Sequence, residues 1–301
     1  MILIIDFGSQ YNQLIARRVR EHHVYCQIEP PDIDIARIKA LQPEGIILSG
    51  GPASIYEKRS PRADGKIFDL GIPVLGICYG MQFMVDALGG KVIRAEKREY
   101  GFAELKIKVA SGIFTGINRE TRSWMSHGDT IGVLPKGFKT TASTLNTKIA
   151  AAENASMQLF GLQFHPEVVH TTAGKKMMEN FLFGVCNCKK SWTMKSFARD
   201  AVAEIRSQVG GSKVILGLSG GVDSSVAAVL LQQAIGRQLH CVFVDNGVLR
   251  EGEAQKVQDV FRKHFRINLR FARAKNFFLR RLKGIEDPEK KNYRSQLHRG
   301  L

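Results

Sequence analysis

Short apolar runs alternate with amphipathic segments in the first part of the chain. We predict buried strands at these runs, which are residues 2–5, 24–28, 45–48 and 73–77. After the first run, Leu14, Ile15 and Val19 fall on one face of a helix, and residues 33–41 form a shorter helical crossover. Strands that alternate with helices predict an α/β domain with a largely parallel sheet.

The pattern changes further along the chain. From about Gly101 to Glu167 it becomes strand-rich with turn signals, which predicts an antiparallel extension of the sheet. Residues 171–183 predict a helix that closes the domain. Residues 184–195 lose periodicity, so we predict a connection between domains there.

A second α/β pattern follows this connection. Its predicted helices are residues 194–207, 224–234 and 253–265. Its predicted strands are residues 213–218, 239–244 and 268–271. We therefore predict a first domain, a linker with a connecting helix, and a second domain, at residues 1–188, 189–206 and 207–301.

The composition agrees with two globular domains. The chain has 301 residues, of which 44% are hydrophobic and 24% charged, and these fractions exclude a disordered, collagen-like or disulfide-scaffold chain. No apolar run reaches the ~18 residues that a membrane span needs. The first residues lack a basic leader and a cleavage site, so we expect a cytoplasmic protein.

The formal net charge of +16 would by itself suggest nucleic acid as a partner. However, thirteen Lys and Arg residues and only three acidic ones fall between residues 260 and 301, so that segment carries +10 of the total. Because the excess is concentrated at one end, the charge is weak evidence for nucleic acid, and we expect no nucleic acid partner. Since no apolar run is long enough to span a membrane, we expect no membrane partner either.

One cysteine has the sequence context of a nucleophile. The five cysteines form no CxxC pair, and their odd number argues against a disulfide framework. Cys78 lies in Gly76-Ile77-Cys78-Tyr79-Gly80, between a predicted strand and a predicted helix. Flanking glycines permit the sharp turn that exposes a nucleophile, and a helix N-terminus favours a thiolate. A lone cysteine after a strand is more often a core residue, so Cys78 needs partners to be convincing.

Two further segments supply such partners. His165 and Glu167 are two positions apart at a predicted strand end, so they can face the same place as a base and the acid that orients it. The loop Ser49-Gly50-Gly51-Pro52 follows another strand and can bring bare amides close to them as an oxyanion hole. The three pieces together favour a catalytic site.

These residues resemble the class I (triad) glutamine amidotransferases, in which a cysteine attacks the side-chain amide of glutamine and releases ammonia. The resemblance implies an α/β fold with an amidotransferase-like sheet and flanking helices. It implies Cys78 as the nucleophile, His165 as the base and acid, and Glu167 as the residue that orients His165. It also implies Gly51 and Tyr79 as donors of oxyanion amides. The glutamine-binding residues that it implies are Gly50, Gln82, Ser126, His127, Gly128 and Asp129.

A second motif lies between a strand and a helix of the second domain. Residues 218–225 read Leu-Ser-Gly-Gly-Val-Asp-Ser-Ser, and glycines, hydroxyls and a helix N-terminus suit phosphate oxygens. No Gly-Lys-Ser/Thr follows, so the loop is not a Walker A motif. Asp223 within an anion site needs a cation, so we assign it to Mg²⁺.

The loop resembles that of N-type ATP pyrophosphatases, which cleave ATP between the α and β phosphates. The resemblance implies a partial α/β domain of the adenine-nucleotide α-hydrolase type. The residues that it implies for ATP or pyrophosphate are Ser219, Gly220, Gly221, Val222, Asp223, Ser224, Ser225, Val244 and Asp245. For Asp245, a nucleotide or second metal contact and a structural helix cap are both open.

From residue 2 to about 291, the chain resembles the glutamine-hydrolysing GMP synthases, which are ligases of purine nucleotide biosynthesis. That resemblance implies that xanthosine 5′-monophosphate (XMP) is aminated to GMP with ATP, glutamine and Mg²⁺. The family continues into the rest of the pyrophosphatase domain and a dimerisation domain that helps to bind XMP, and residues 292–301 depart from its pattern. We therefore expect this chain to hydrolyse glutamine without making GMP by itself.

Three other interpretations stay open at this point. The chain could be a stand-alone glutaminase or a regulatory fragment with an inert second domain. It could be an RNA-modifying protein, because tRNA-thiolating enzymes have a similar loop and the end of the chain is basic. It could also be a binding module without catalysis, which labelling of Cys78 by a glutamine-analogue electrophile would test.

Overall fold

The computed structural model describes residues 1–261, 265 and 267–283. The chain divides into two compact units, of which the first is Met1–Thr193 and the second starts at Met194. Most of the basic end and the departing stretch at residues 292–301 lie outside the described residues.

The first unit is built on one large sheet. Within the described residues this sheet has nine strands in the order β2-β1-β3-β4-β9-β8-β7-β5-β6. The strands are β1 Ile2–Ile5, β2 Cys26–Glu29, β3 Gly45–Leu48, β4 Val74–Ile77, β5 Lys91–Ile107, β6 Glu120–Val133, β7 Lys139–Ser143, β8 Ala151–Asn154 and β9 Leu159–Leu162. The pairs from β2 to β9 are parallel and those from β9 to β6 are antiparallel, so the predicted parallel sheet and its antiparallel extension are confirmed.

Helices pack on both faces of the parallel strands. They are α1 Asn12–Glu21, α2 Ile35–Leu41, α3 Tyr79–Ala87 and α4 Gly174–Glu179. Side chains alternate across a strand, so Ile2 and Ile4 belong to one core with Ile15 of α1, while Leu3 belongs to a second core with Met81 of α3. Because both faces are buried, the strands read as continuous apolar runs in the sequence.

Two boundaries in the first unit differ from the prediction by more than two residues. Strand β5 begins at Lys91, well before Gly101, because the charged stretch at residues 94–99 hides the apolar alternation on which the prediction depended. The closing helix predicted at residues 171–183 starts only at Gly174, since the Thr171 hydroxyl donates instead to the His165 carbonyl at 2.6 Å. From Asn180 to Val185 the chain continues as a π-helix.

The second unit repeats the α/β pattern on a smaller scale. Its described strands are β10 Val214–Leu218, β11 Leu239–Asp245 and β12 Leu269–Arg273, all parallel and in that order. Its described helices are α5 Met194–Val209, α6 Val222–Ile235, α7 Glu253–Asp259 and α8 Lys275–Leu282. Phe243 of β11 and Ala228 of α6 share its core with Phe261. Helix α7 covers the first part of the helix predicted at residues 253–265, of which residues 262–264 lie outside the described residues. Helix α8 was not predicted.

No helix within the described residues is both long and apolar enough to cross a membrane.

Candidate active site

Cys78 occupies a tight elbow between β4 and α3. Its φ of +46° lies in a region that residues with a side chain seldom adopt, and it is the N-cap of the helix. The flanking glycines make this turn possible. A Cβ on Gly76 would lie 2.8 Å from the Gly80 carbonyl oxygen, and one on Gly80 would lie 2.3 Å from the Leu48 carbonyl oxygen. The helix can therefore start directly against the end of β3.

The structure brings Cys78, His165 and Glu167 into one buried chain of contacts. The Cys78 Sγ lies 3.2 Å from His165 Nε2, and His165 Nδ1 lies 2.7 Å from Glu167 Oε1. The Glu167 side chain is fully buried, and that of His165 is 6% exposed. One imidazole therefore spans the distance between a thiol and a carboxylate.

Backbone contacts from several elements fix this chain. The Cys78 amide donates to the Leu162 carbonyl of β9 at 2.7 Å, and the His165 amide donates to the Trp124 carbonyl of β6 at 3.1 Å. From α1, Arg18 Nε donates to the Glu167 carbonyl at 2.8 Å. The triad therefore depends on strands far apart in sequence and on one helix.

The neighbouring charges favour a protonated His165. Burial alone would lower its pKa, but the sulfur of Cys78 and the carboxylate of Glu167 outweigh that effect and raise the pKa of His165 to about 11. An imidazolium between the thiol and the carboxylate is the consequence. This charged form can give a proton to a leaving group.

The loop after β3 closes over the same place. A Cβ on Gly50 would lie 3.2 Å from His165 Cε1, and one on Gly51 would lie 2.6 Å from the Phe7 carbonyl oxygen. The Ser49 hydroxyl accepts from the Phe7 amide at 3.0 Å. Small residues are therefore needed at Gly50 and Gly51 for the loop to approach the triad.

A cavity of about 630 Å³ opens onto Cys78. Its lining includes the predicted residues Gly51, Cys78, Tyr79, Gln82, Ser126, His127, Gly128 and Asp129, but Gly50 is not part of it. Tyr79 is the first residue of α3, so its amide has no partner within the helix. Hydrogen bonds to Asp129 tie the walls together, because Ser54 Oγ donates to Oδ2 at 2.5 Å and Gln82 Nε2 donates to its carbonyl at 3.1 Å.

Sequence reasoning missed part of this cavity. Ser54, Glu57, Arg94 and Tyr100 also line it. Ser54 could have been inferred from its place just beyond the glycine loop. Arg94 and Tyr100 belong to the part of β5 whose pattern is hidden by charges, so no sequence signal pointed to them.

The predicted phosphate loop of the second unit runs from the end of β10 into the first turn of α6. Gly220 has a φ of +81° and Gly221 is the helix N-cap. The Gly221 amide donates to Ser219 Oγ at 3.2 Å, Ser224 Oγ lies 3.0 Å from Ser219 Oγ, and Ser225 Oγ donates to the Gly221 carbonyl at 2.7 Å. Hydroxyls and the start of a helix are thus held together in one loop.

Asp223 and Asp245 lie in different surroundings. Asp223 is exposed in the first turn of α6, next to the exposed Val222. Asp245 follows Val244 at the end of β11, and its Oδ1 accepts from the Gly247 amide at 3.0 Å, so it forms a turn and does not cap a helix. It also lines a cavity of about 690 Å³. The other lining residues, which do not include the phosphate loop, are Arg273, Lys275, Asn276, Phe277, Arg280 and Arg281.

Across the residues that the structure describes, no group of three or more His, Cys, Asp or Glu side chains is arranged to hold a metal ion. The single carboxylate of Asp223 is nevertheless a suitable ligand for Mg²⁺, because this ion commonly binds one or two carboxylates together with substrate phosphates.

A thiol paired with a histidine and a carboxylate at the strand ends of an α/β sheet is typical of enzymes that act through a covalent acyl intermediate. Comparison with protein families identifies the particular group. Residues 3–185 match the family described as glutamine amidotransferase class-I, and the chain belongs to this family. Residues 193–278 match a second family, described as NAD synthase.

Similar proteins agree with this assignment. The chain is 53% identical to a glutamine-hydrolysing GMP synthase of Brachyspira hyodysenteriae and 52% identical to one of Heliobacterium modesticaldum, over 96% of this chain and 56% of each relative. It thus spans little more than half the length of these relatives. A crystal structure from Thermoplasma acidophilum, whose name describes a GMP synthase subunit, is 33% identical with a TM-score of 0.57, and the match covers 62% of this chain and 93% of that one.

Proposed function

We propose that the first unit hydrolyses glutamine to glutamate and ammonia, with Cys78 as the nucleophile. The observation that carries this proposal is the contact of 3.2 Å between Cys78 Sγ and His165 Nε2 beside a cavity lined by all the predicted glutamine-binding residues except Gly50. Membership of the class I amidotransferases supports it.

In the first step, the Cys78 thiolate attacks the side-chain carbonyl carbon of glutamine, and a C–S bond forms. The carbonyl oxygen becomes an oxyanion, which the amides of Gly51 and Tyr79 stabilise. His165 then gives its proton to the departing nitrogen, the C–N bond breaks, and ammonia and a glutamyl thioester remain.

In the second step, His165 takes a proton from a water molecule, whose oxygen attacks the thioester carbon. The C–S bond breaks, and the thiolate of Cys78 is restored with His165 protonated. The new carboxyl group of the product loses the second proton of the water to solvent, and glutamate leaves. Glu167 stabilises the imidazolium at Nδ1 whenever His165 is protonated. The residues that hold glutamine are Gly50, Gln82, Ser126, His127, Gly128 and Asp129.

We propose that the second unit binds ATP through the phosphate loop. Ser219, Ser224, Ser225 and the glycine amides would hold phosphate oxygens, and Asp223 would hold Mg²⁺ jointly with those phosphates. Mg²⁺ would supply charge neutralisation at the phosphates when bound. Val244 and Asp245 would contact the nucleotide.

For the whole protein we propose the ligase activity of the glutamine-hydrolysing GMP synthases, in which XMP, ATP and ammonia from glutamine give GMP. Similarity to two such synthases along 96% of the chain supports this proposal. We propose the domain division predicted above, with residues 1–188 and 207–301 as domains and residues 189–206 as the linker and connecting helix.

Glutamate release by the purified chain tests the proposed hydrolysis. Cys78→Ala should abolish release, because no other described thiol contacts His165 in this way. Cys26→Ala is the matched control, since Cys26 is a buried thiol of the same unit that donates to the Ala16 carbonyl. Equal glutamate release by wild type and Cys78→Ala would contradict the proposal.

A further inference from the structure

The imidazole of His127 is buried in the wall of the cavity. Its residue is 5% exposed, and within the described residues neither ring nitrogen has a partner. Buried polar groups in folded proteins are nearly always paired, so an unpaired ring beside a binding cavity points to a ligand or to another means of holding it. His127 and Cys78 line the same cavity.

A buried carboxylate lies directly behind this ring. Glu99 of β5 faces His127 in the ladder with β6, and its Oε2 is 4.0 Å from His127 Nε2. Glu99 is 8% exposed. A charge so far removed from water is costly unless other groups compensate it.

Two hydroxyls provide this compensation. Thr144 Oγ1 donates to both carboxylate oxygens of Glu99 at 3.0 Å, and Thr147 Oγ1 donates to Oε2 at 2.6 Å. Thr144 and Thr147 are tied to each other, because the Thr144 amide donates to the Thr147 carbonyl and the Thr147 amide donates to Thr144 Oγ1. The two threonine hydroxyls therefore hold the Glu99 carboxylate in place.

The strand itself turns Glu99 inward. The register of β5 against β6 shifts between Arg94 and Glu99, and an irregularity of this kind redirects the side chains that follow. Tyr100, the next residue, is 63% exposed and lines the cavity. The irregularity thus places a buried acid behind the cavity wall and an aromatic ring at its mouth.

We propose that Glu99 is a positioning residue for the substrate subsite: held by Thr144 and Thr147, it fixes the His127 ring in the wall formed by residues 126–129. The inference rests on the proposed hydrolysis of glutamine. Glu99 and His127 make no contact with His165 or Cys78 at hydrogen-bond distance in the described structure, so the pair acts on substrate binding and leaves the chemical step to the triad.

The charges around His127 predict how its titration responds. Burial lowers the pKa of His127, and His165 acts in the same direction, whereas Glu99 and Asp129 raise it. Removing the charge of Glu99 should therefore lower the pKa of His127 further. This change in the pKa of His127 can be measured without turnover of glutamine.

Steady-state glutaminase kinetics of Glu99→Gln test the proposal. We expect KM for glutamine to rise roughly tenfold and kcat to stay within about twofold, because the lost interaction serves binding alone. Thr147→Val should change KM in the same direction by less. Glu104→Gln is the matched control, since Glu104 is an exposed acid on the same strand.

NMR titration of the His127 imidazole is the second readout, and it needs no turnover. Its midpoint should fall in Glu99→Gln and stay in place in Glu104→Gln. Unchanged KM together with an unchanged midpoint would overturn the proposal, as would a fall in kcat alone. If wild type released no glutamate, the proposed function would fail, while the titration would still decide whether Glu99 acts on His127. If Glu99→Gln did not fold, both readouts would be taken from Thr147→Val.

Discussion

At the scale of single residues, the candidate site brings together Cys78, His165 and Glu167, whose residue types and positions after strands could be predicted from the sequence. The acid behind His127 could not, because Glu99 belongs to a charged stretch without periodicity and faces inward only through a register shift. The residue types thus indicated the chemistry of the site, whereas the burial of Glu99 could be recognised only in the tertiary structure.

Glu167→Gln should slow glutamate release by about 10²–10⁴-fold. The carboxylate contacts His165 Nδ1 at 2.7 Å and helps to keep the imidazole protonated, and an amide has no charge to do so. Initial rates of glutamate release check this. Glu153→Gln is a buried acid of the same unit outside the site, and a rate for Glu167→Gln equal to that of Glu153→Gln would contradict the assigned role.

His127 should make the folded state less stable in acid. Burial lowers the pKa of His127 below the 6.5 of an unperturbed histidine, so below that pH the unfolded chain binds a proton that the folded chain does not. Stability is therefore full above about pH 6.5 and falls as the pH decreases. His22, whose pKa is also lowered by burial, adds to the effect.

Urea unfolding between about pH 7.5 and 5.5 measures this loss. In His127→Gln the free energy of unfolding should fall less steeply over that range than in wild type. Identical slopes for the two proteins would show that His127 takes up its proton equally well in both states.

At the scale of elements, strand order and helix placement could be predicted in outline, because both faces of the parallel strands are buried and leave a clear pattern. The predicted ends of helices and strands were wrong where tertiary contacts take precedence over the local hydrophobic pattern. Thr171, for example, holds the His165 segment and delays the start of α4. The hydrogen bond from Arg18 of α1 to the Glu167 carbonyl could not be predicted either, because nothing in the sequence distinguishes Arg18 from the other polar residues of an amphipathic helix.

Arg18→Met should lower the rate of glutamate release by roughly tenfold. A hydrogen bond from a charged group contributes ~1.5–3 kcal/mol, and relaxation of the structure around the substituted side chain recovers part of that loss. Arg18 donates to the Glu167 carbonyl and thereby fixes the segment that carries the triad acid. Arg17→Met is the control, because Arg17 also pairs with Glu21 but is 74% exposed. Equal rates for both variants would exclude this role of α1.

At the scale of the whole molecule, the sequence predicted two successive α/β units, and two family models match the chain, at residues 3–185 and 193–278. The resemblance to the GMP synthases also implied that the family is longer than this chain, and the chain spans 56% of the length of two such relatives. The basic residues of β12 and α8 were predicted only as a net charge, and in the structure four of them line one cavity together with Asp245.

A substitution in the proposed glutamine site should leave ATP binding intact, and a substitution in the proposed ATP site should leave glutamate release intact. Asp223→Asn should weaken binding of ATP with Mg²⁺, because the carboxylate no longer shares the ion with the phosphates. Cys78→Ala should lose glutamate release. Equilibrium dialysis with labelled ATP and a glutamate assay, applied to both variants, measure the two effects. Loss of ATP binding in Cys78→Ala to the same extent as in Asp223→Asn would contradict independent sites.

The central claim is that Cys78 carries the acyl group of glutamine during turnover. Acid quenching of the chain during turnover of glutamine, followed by peptide mass spectrometry, tests this most directly. We predict a glutamyl adduct on the peptide that contains Cys78, present in wild type, more abundant when hydrolysis of the thioester is slowed, and absent from Cys78→Ala. Sustained glutamate release with no adduct on Cys78, or with an adduct on another residue, would contradict the account.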